Sequence, residues 1–187
     1  SALLVGFPDY QLDLDDEYAY VAPLPGTKVE VDNIKTLLIS KSWTVNILTG
    51  AEASEENIKK VDNPYVFHIA THGFFLEEEV TSNASSRAFG IEPLRAAENP
   101  LLRSGILLAG ADKTVLEMNT TSSEETDDGI LNAYEAMILN LEKTELVILS
   151  ACQTGLGEIK TGEGVYGLQR SFQIAGASSV LTSLWEV

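Results

Sequence analysis

Short apolar runs recur along this chain at helix-length intervals, and that alternation restricts the fold more than any other property of the sequence. SALLVGF (1–7) is closed by Pro8, and WTVNIL (43–48) by Thr49 and Gly50; YVFHIA (65–70), LVILS (146–150) and SVLTSL (179–184) follow. Apolar runs of this length bounded by turn residues read as strands. After the first of them, Val31, Ile34, Leu37 and Leu38 form one helical stripe, and Thr27 with Glu30 reads as a capping box at its start. Ser54 caps a short helix to about residue 60. The third run is apolar on both faces, as a central strand of a parallel sheet is. A β-α-β-α-β order of this kind predicts an α/β fold with helices packed on both faces of a mostly parallel sheet.

Residues 75–128 interrupt the order. They hold EEE at 77–79, a polar stretch at 81–88, a short strand candidate GILL at 105–108 and an acidic run at 119–128, which together read as an inserted excursion of loops with a hairpin. Regular patterning returns with a helix expected over about 130–139, its Leu131, Tyr134, Met137 and Ile138 on one face. A second stripe, Val165, Leu168, Phe172 and Ala175, predicts a helix before the last strand. At 187 residues, 44% of them hydrophobic, the chain has the material for one domain with a sizeable core. Its abrupt start at a strand and its end at Trp185-Glu186-Val187 suggest a piece of a longer chain.

Charge and cysteine content exclude several functions. A formal net charge of −16, from 28 acidic against 12 basic residues, argues against a nucleic-acid partner, which needs clustered Lys and Arg. A single cysteine cannot form an intramolecular disulfide, which makes a reducing cytoplasm the expected compartment. No apolar stretch approaches the ~20 residues that span a bilayer, and the start lacks a signal-peptide pattern, so no membrane association is expected.

In open parallel α/β sheets, chemistry collects at the carboxyl ends of the strands. Two candidates fall there: His72 in Thr71-His72-Gly73 after the third strand, and Cys152 in Ala151-Cys152-Gln153-Thr154-Gly155 after the fourth. An imidazole beside a thiol raises the thiolate fraction that a free cysteine, with a pKa near ~8.5, lacks at neutral pH. Gly73 permits close backbone approach, its amide and that of Cys152 are candidate oxyanion donors, and Gly155 and Gly157 leave room for an extended peptide. Glu163 is a candidate wall residue of such a cleft. The plain alternative for Cys152 is a buried core thiol. His68, inside the third run, reads as a hydrogen-bonded interior histidine. Two histidines and one cysteine are too few for a closed zinc site, and no metal or cofactor is expected. G162-E-G-V-Y-G167 fits G-x-G-x-x-G but lies too far beyond its strand, and Ile159 before Lys160-Thr161 excludes a Walker loop.

Taken together, the opening LLVGFPDY with LPG, then HIATHGFF (68–75), NPLLRSGILLAGAD (99–112), DGILNAYEA (128–136), LVILSACQTGLG (146–157) and GEGVYGLQRSFQIAGASSVLTSLWEV (162–187) resemble the CHAT domain family. These are caspase- and separase-like cysteine peptidases often joined to TPR repeats. The resemblance spans nearly the whole chain. It implies a caspase-like three-layer α/β/α sandwich in which His72 is the catalytic histidine, Cys152 the nucleophile, and the Gly73 and Cys152 amides the oxyanion hole. A protein or peptide substrate would be cleaved through a thioester, under control of a TPR or other regulatory region on the full-length chain. Some caspase-fold members act only as scaffolds, and that alternative stays open here. The caspase signature Q-A-C-x-G is absent, and His72 and Cys152 stand further apart than the ~50 residues of caspases. The family also continues past Trp-x-Val, where this chain stops.

Overall fold

A computed structural model describes residues 1–12, 20–75, 99–116, 127–153 and 163–183. The elements in chain order are β1 (Ala2–Pro8), α1 (Pro25–Ser40), β2 (Val45–Gly50), α2 (Glu55–Lys59) and β3 (Val66–Phe75). A 3-10 turn at Pro100–Arg103 leads into β4 (Ser104–Leu107), followed by α3 (Ala111–Leu116), β5 (Ile130–Asn132), α4 (Ala133–Ala136), β6 (Leu146–Gln153), α5 (Glu163–Ile174) and β7 (Ser179–Thr182). The described strands form one seven-stranded sheet. β2, β1, β3, β6 and β7 are parallel in that order, while β4 pairs antiparallel with the last residues of β3 and β5 pairs antiparallel with β4.

Strand alternation sorts the core into two layers. On one face Ala2, Leu4 and Ala70 pack with Val31 of α1, and Ile34 and Leu38 lie against them. α1 seats close because a Cβ at Gly6 would stand 2.8 Å from Val31 Cγ1. On the opposite face Val5, Phe67, Ile69, Val147 and Leu149 pack with Ile58 of α2, Ala136 of α4 and Leu168 and Phe172 of α5. Helices on both faces of a mostly parallel sheet make the three-layer α/β/α sandwich. Among the described residues, no helix is long and apolar enough to cross a membrane.

Three local expectations are corrected. No capping box forms at Thr27 and Glu30: Pro25, pre-set for the first helical turn, starts α1 earlier, with Leu24 as N-cap. The Thr27 hydroxyl instead donates to Leu24 O (2.7 Å) and accepts from Phe7 N (2.9 Å), tying the helix start to β1. In the same helix Leu37 is exposed. The helix expected over 130–139 is a strand followed by a single turn, because Asn132 stops the strand. It forms its own capping box with Glu135, leaving Tyr134 and Ile138 exposed. Finally, β3 and β6 run well past the expected ends at 70 and 150. Of the stretch 75–128, the described part holds β4 and α3, and the EEE and polar stretches lie outside the described residues.

Beneath this layer lies a buried charged node. Glu55 is 1% exposed, ion-paired to Lys59 and accepting from Gly129 N (3.2 Å); Lys59 also reaches Asp127 and Glu135, both at 3.2 Å. Gly129 adopts φ +79°, and a Cβ there would lie 2.5 Å from Ala111 N, so the turn into β5 accepts only glycine. Burial pushes the Glu55 carboxyl well above the usual range and that of Asp128 up to about 6. An acid whose folded pKa is raised is penalised as it ionises, so its contribution falls as pH climbs from the unfolded value through the folded one. Asp128→Asn keeps an acceptor for Ile130 N (2.9 Å) while removing that charge. The variant should gain on the native protein by on the order of 2 kcal/mol between pH 4 and pH 8, at ~1.4 kcal/mol per tenfold in proton affinity. Urea melts of both proteins at the two pH values check this.

Candidate active site

The site is built where β3 changes neighbours. β1 pairs with β3 only as far as Ala70, and β4 takes up pairing at Gly73. Because Gly73 is in register with Ile106 on one side and Gln153 on the other, β4 occupies the edge that β1 has left. Thr71 and His72 fall in the gap, which is bridged from outside the ladder. Tyr10, 2% exposed, places its hydroxyl 2.8 Å from Thr71 Oγ1 and accepts from His72 N (3.4 Å), and Thr71 Oγ1 itself donates to Leu107 O. Burial raises the Tyr10 phenol above its ordinary value, so it stays a neutral hydroxyl.

His72 is therefore an interior strand residue, not the loop residue expected from the sequence. Its side chain is buried at 8% exposure, with the ring tilted against Tyr10 at 5.4 Å between centroids. Nε2 lies 2.8 Å from the main-chain oxygen of Ala22. A carbonyl can only accept, so Nε2 carries the proton and Nδ1 keeps a lone pair. Nδ1 has no hydrogen-bond partner among the described residues. Burial draws the ring's pKa below its ordinary value, with the Ala22 bond opposing, and the imidazole is neutral at pH 7.

The carbonyl that orients the ring is itself held. Val21 N, one residue earlier, donates to Asp112 Oδ1 (2.8 Å) of α3, whose carboxyl is fully buried. Tyr10, the Ala22 carbonyl and Asp112 thus form a frame around one imidazole.

Across the parallel ladder, His72 is in direct register with Cys152 of β6. The main chain therefore brings the two residues singled out by sequence to adjacent strands at the same height, and Gly73 stands beside them opposite Gln153. Glu163 opens α5, and Gly155 lies outside the described residues. His68, two residues along the same face as Ala70, is buried at 3% as expected, and its partner is Glu30: Nε2 lies 3.0 Å from Oε1, at ion-pair distance. The other Glu30 oxygen accepts from Ser150 Oγ (3.1 Å) of β6.

Sequence reasoning missed three participants. Tyr10 was inside a quoted motif but carried no assigned role. Ala22 contributes a main-chain atom, which side-chain pattern cannot reveal. Glu30 reads from sequence as part of a helix cap, and the signal against that is Pro25, which starts α1 earlier. In the comparison with known protein families, the model described as the CHAT domain matches residues 1–187, the whole chain. No curated protein matches it.

Proposed function

This chain belongs to the CHAT domain family, and from that premise we propose that it is a cysteine endopeptidase in which Cys152 is the nucleophile and His72 its base. One observation carries the reading: His72 and Cys152 are register partners on adjacent parallel strands, with Nε2 of the ring pinned by Ala22 and Nδ1 without a partner among the described residues. Paired residues of a parallel ladder share one face of the sheet, and His68, His72 and Ser150 occupy the face that carries α1.

The proposed step follows from that placement. His72 Nδ1 takes the thiol proton, and the thiolate attacks the scissile carbonyl carbon. Collapse breaks the C–N bond, the imidazolium returns its proton to the leaving amine, and water hydrolyses the thioester with His72 again as base. A neutral ring suits the first transfer, since it can accept a proton without first losing one. The substrate is a protein, and a TPR or other regulatory region on the full-length chain governs the activity in a cytoplasmic setting. The strongly negative charge supports a partner other than nucleic acid.

Alkylation tests the activation directly. Iodoacetamide at pH 7 is expected to label Cys152 of the full-length protein at least tenfold faster than in a urea-unfolded control, and His72→Asn should return the rate to the control. Equal rates in folded and unfolded protein would instead support the caspase-fold scaffold reading.

A further inference from the structure

Beside the site, on the α1 face of the sheet, a cavity of about 300 Å³ is lined by residues including Leu24, Pro25, Thr27, Glu30, Thr71 and Ser150. Its position relates it to the chemistry: Thr71 precedes His72, Ser150 stands two residues before Cys152 on the same strand, and Leu24 follows two residues after the carbonyl that pins the ring. Among the described residues, Glu30 is the one charged side chain in the lining. Its carboxylate is held from two strands, by Ser150 Oγ and by the His68 ring, and these contacts keep it below the usual carboxylate range. It is about a quarter exposed, so it is both fixed and reachable. Thr27 spends its hydroxyl on Phe7 and Leu24, so it does not compete for a ligand.

We propose that this cavity receives a lysine or arginine side chain of the substrate, at the residue immediately before the scissile bond, with Glu30 as its charge partner. This assignment rests on the peptidase reading above and names the substrate class for it. The volume is at the small end for ligand pockets and suits one long side chain rather than a separate small molecule. Leu24 and Pro25 offer an apolar wall for the aliphatic stem, and the cationic head meets an anion that needs no rearrangement to receive it. An uncharged isostere at the same position leaves that anion without its partner, and this penalty is what produces selectivity.

The test uses matched peptides carrying arginine or citrulline before the cut, which differ in charge and scarcely in shape. With the full-length protein, kcat/KM for the arginine peptide should exceed that for the citrulline peptide at least tenfold. Glu30→Gln should bring the ratio close to one, chiefly by lowering kcat/KM for the arginine peptide. Calorimetric binding of the same pair to the full-length Cys152→Ala protein reads the cavity without turnover, and the same ratio is expected there. A ratio near one in the unmodified cavity, or one that survives Glu30→Gln, overturns the assignment. If Glu30→Gln fails to fold, the arginine-to-citrulline ratio of the native cavity decides alone. Selective binding without any cleavage by the native protein would uphold the cavity and count against the peptidase step, so the two failures are distinguishable.

Discussion

Replacing the proposed nucleophile Cys152 by alanine should lower kcat/KM for peptide cleavage by about 10⁴-fold or more, because the acyl intermediate of the proposed step is a thioester on its sulfur. His72→Asn should cost about 10²–10⁴-fold, the usual contribution of a positioned base. The double variant should be little worse than Cys152→Ala, since a base has nothing to activate once the sulfur is gone. The pH profile adds a signature that a structural role would not produce. The ring must be neutral to accept the thiol proton, and burial draws its pKa below the ordinary imidazole value. The acid limb of kcat/KM should therefore lie below pH 6.5, with activity rising as pH climbs through it. Tyr10→Phe removes the hydroxyl that His72 N and Thr71 share, and a displaced limb in that variant would show that the bridge across the strand gap positions the ring.

The largest loss of stability should come from Phe172→Ala. Phe172 is fully buried on the face of the sheet away from α1 and meets Phe67 of β3 edge-on, with centroids 6.3 Å apart and planes at 82°. Truncation removes both the transfer energy and the aromatic contact and leaves a void that helix and sheet cannot both close. About 3–5 kcal/mol is expected, which is a large share of a typical domain's total. Urea unfolding of the full chain measures it. Leu181→Ala, at a side chain 58% exposed on the edge strand β7, is the control and should change stability by less than ~0.5 kcal/mol.

The order of strands and helices was legible because each core strand is a dense apolar run flanked by turn residues, and because Leu168, Phe172 and Ala175 bury as their spacing predicts. Strand ends were not legible. Thr71-His72-Gly73 and Ala151-Cys152-Gln153 look like loop chemistry, yet they extend β3 and β6, since pairing between the strands supplies what the side chains do not. Nor was Asn132 readable as a strand stop, because Leu131, Tyr134 and Ile138 mimic a helical face when tertiary pairing with β4 is unknown. That His72 and Cys152 meet across neighbouring strands could be anticipated from their places at the ends of two apolar runs. Glu30 could not, because T-x-x-E is a cap signature whenever a helix begins at the threonine, and only Pro25 hinted that it begins earlier.

The oxygen that fixes the imidazole belongs to the backbone of Ala22, and this shapes how the site can vary over evolutionary time. Substituting the residue at that position leaves the oxygen in place, so an alanine scan would pass over it in silence, as would natural drift in side-chain identity. What can change it is movement of the strand of chain that bears it, and that strand is moored by Asp112 from a different helix. Control over reactivity is thereby lodged in the path of the polypeptide, where a remote event that tugs on the mooring can retune the ring without touching any reacting group.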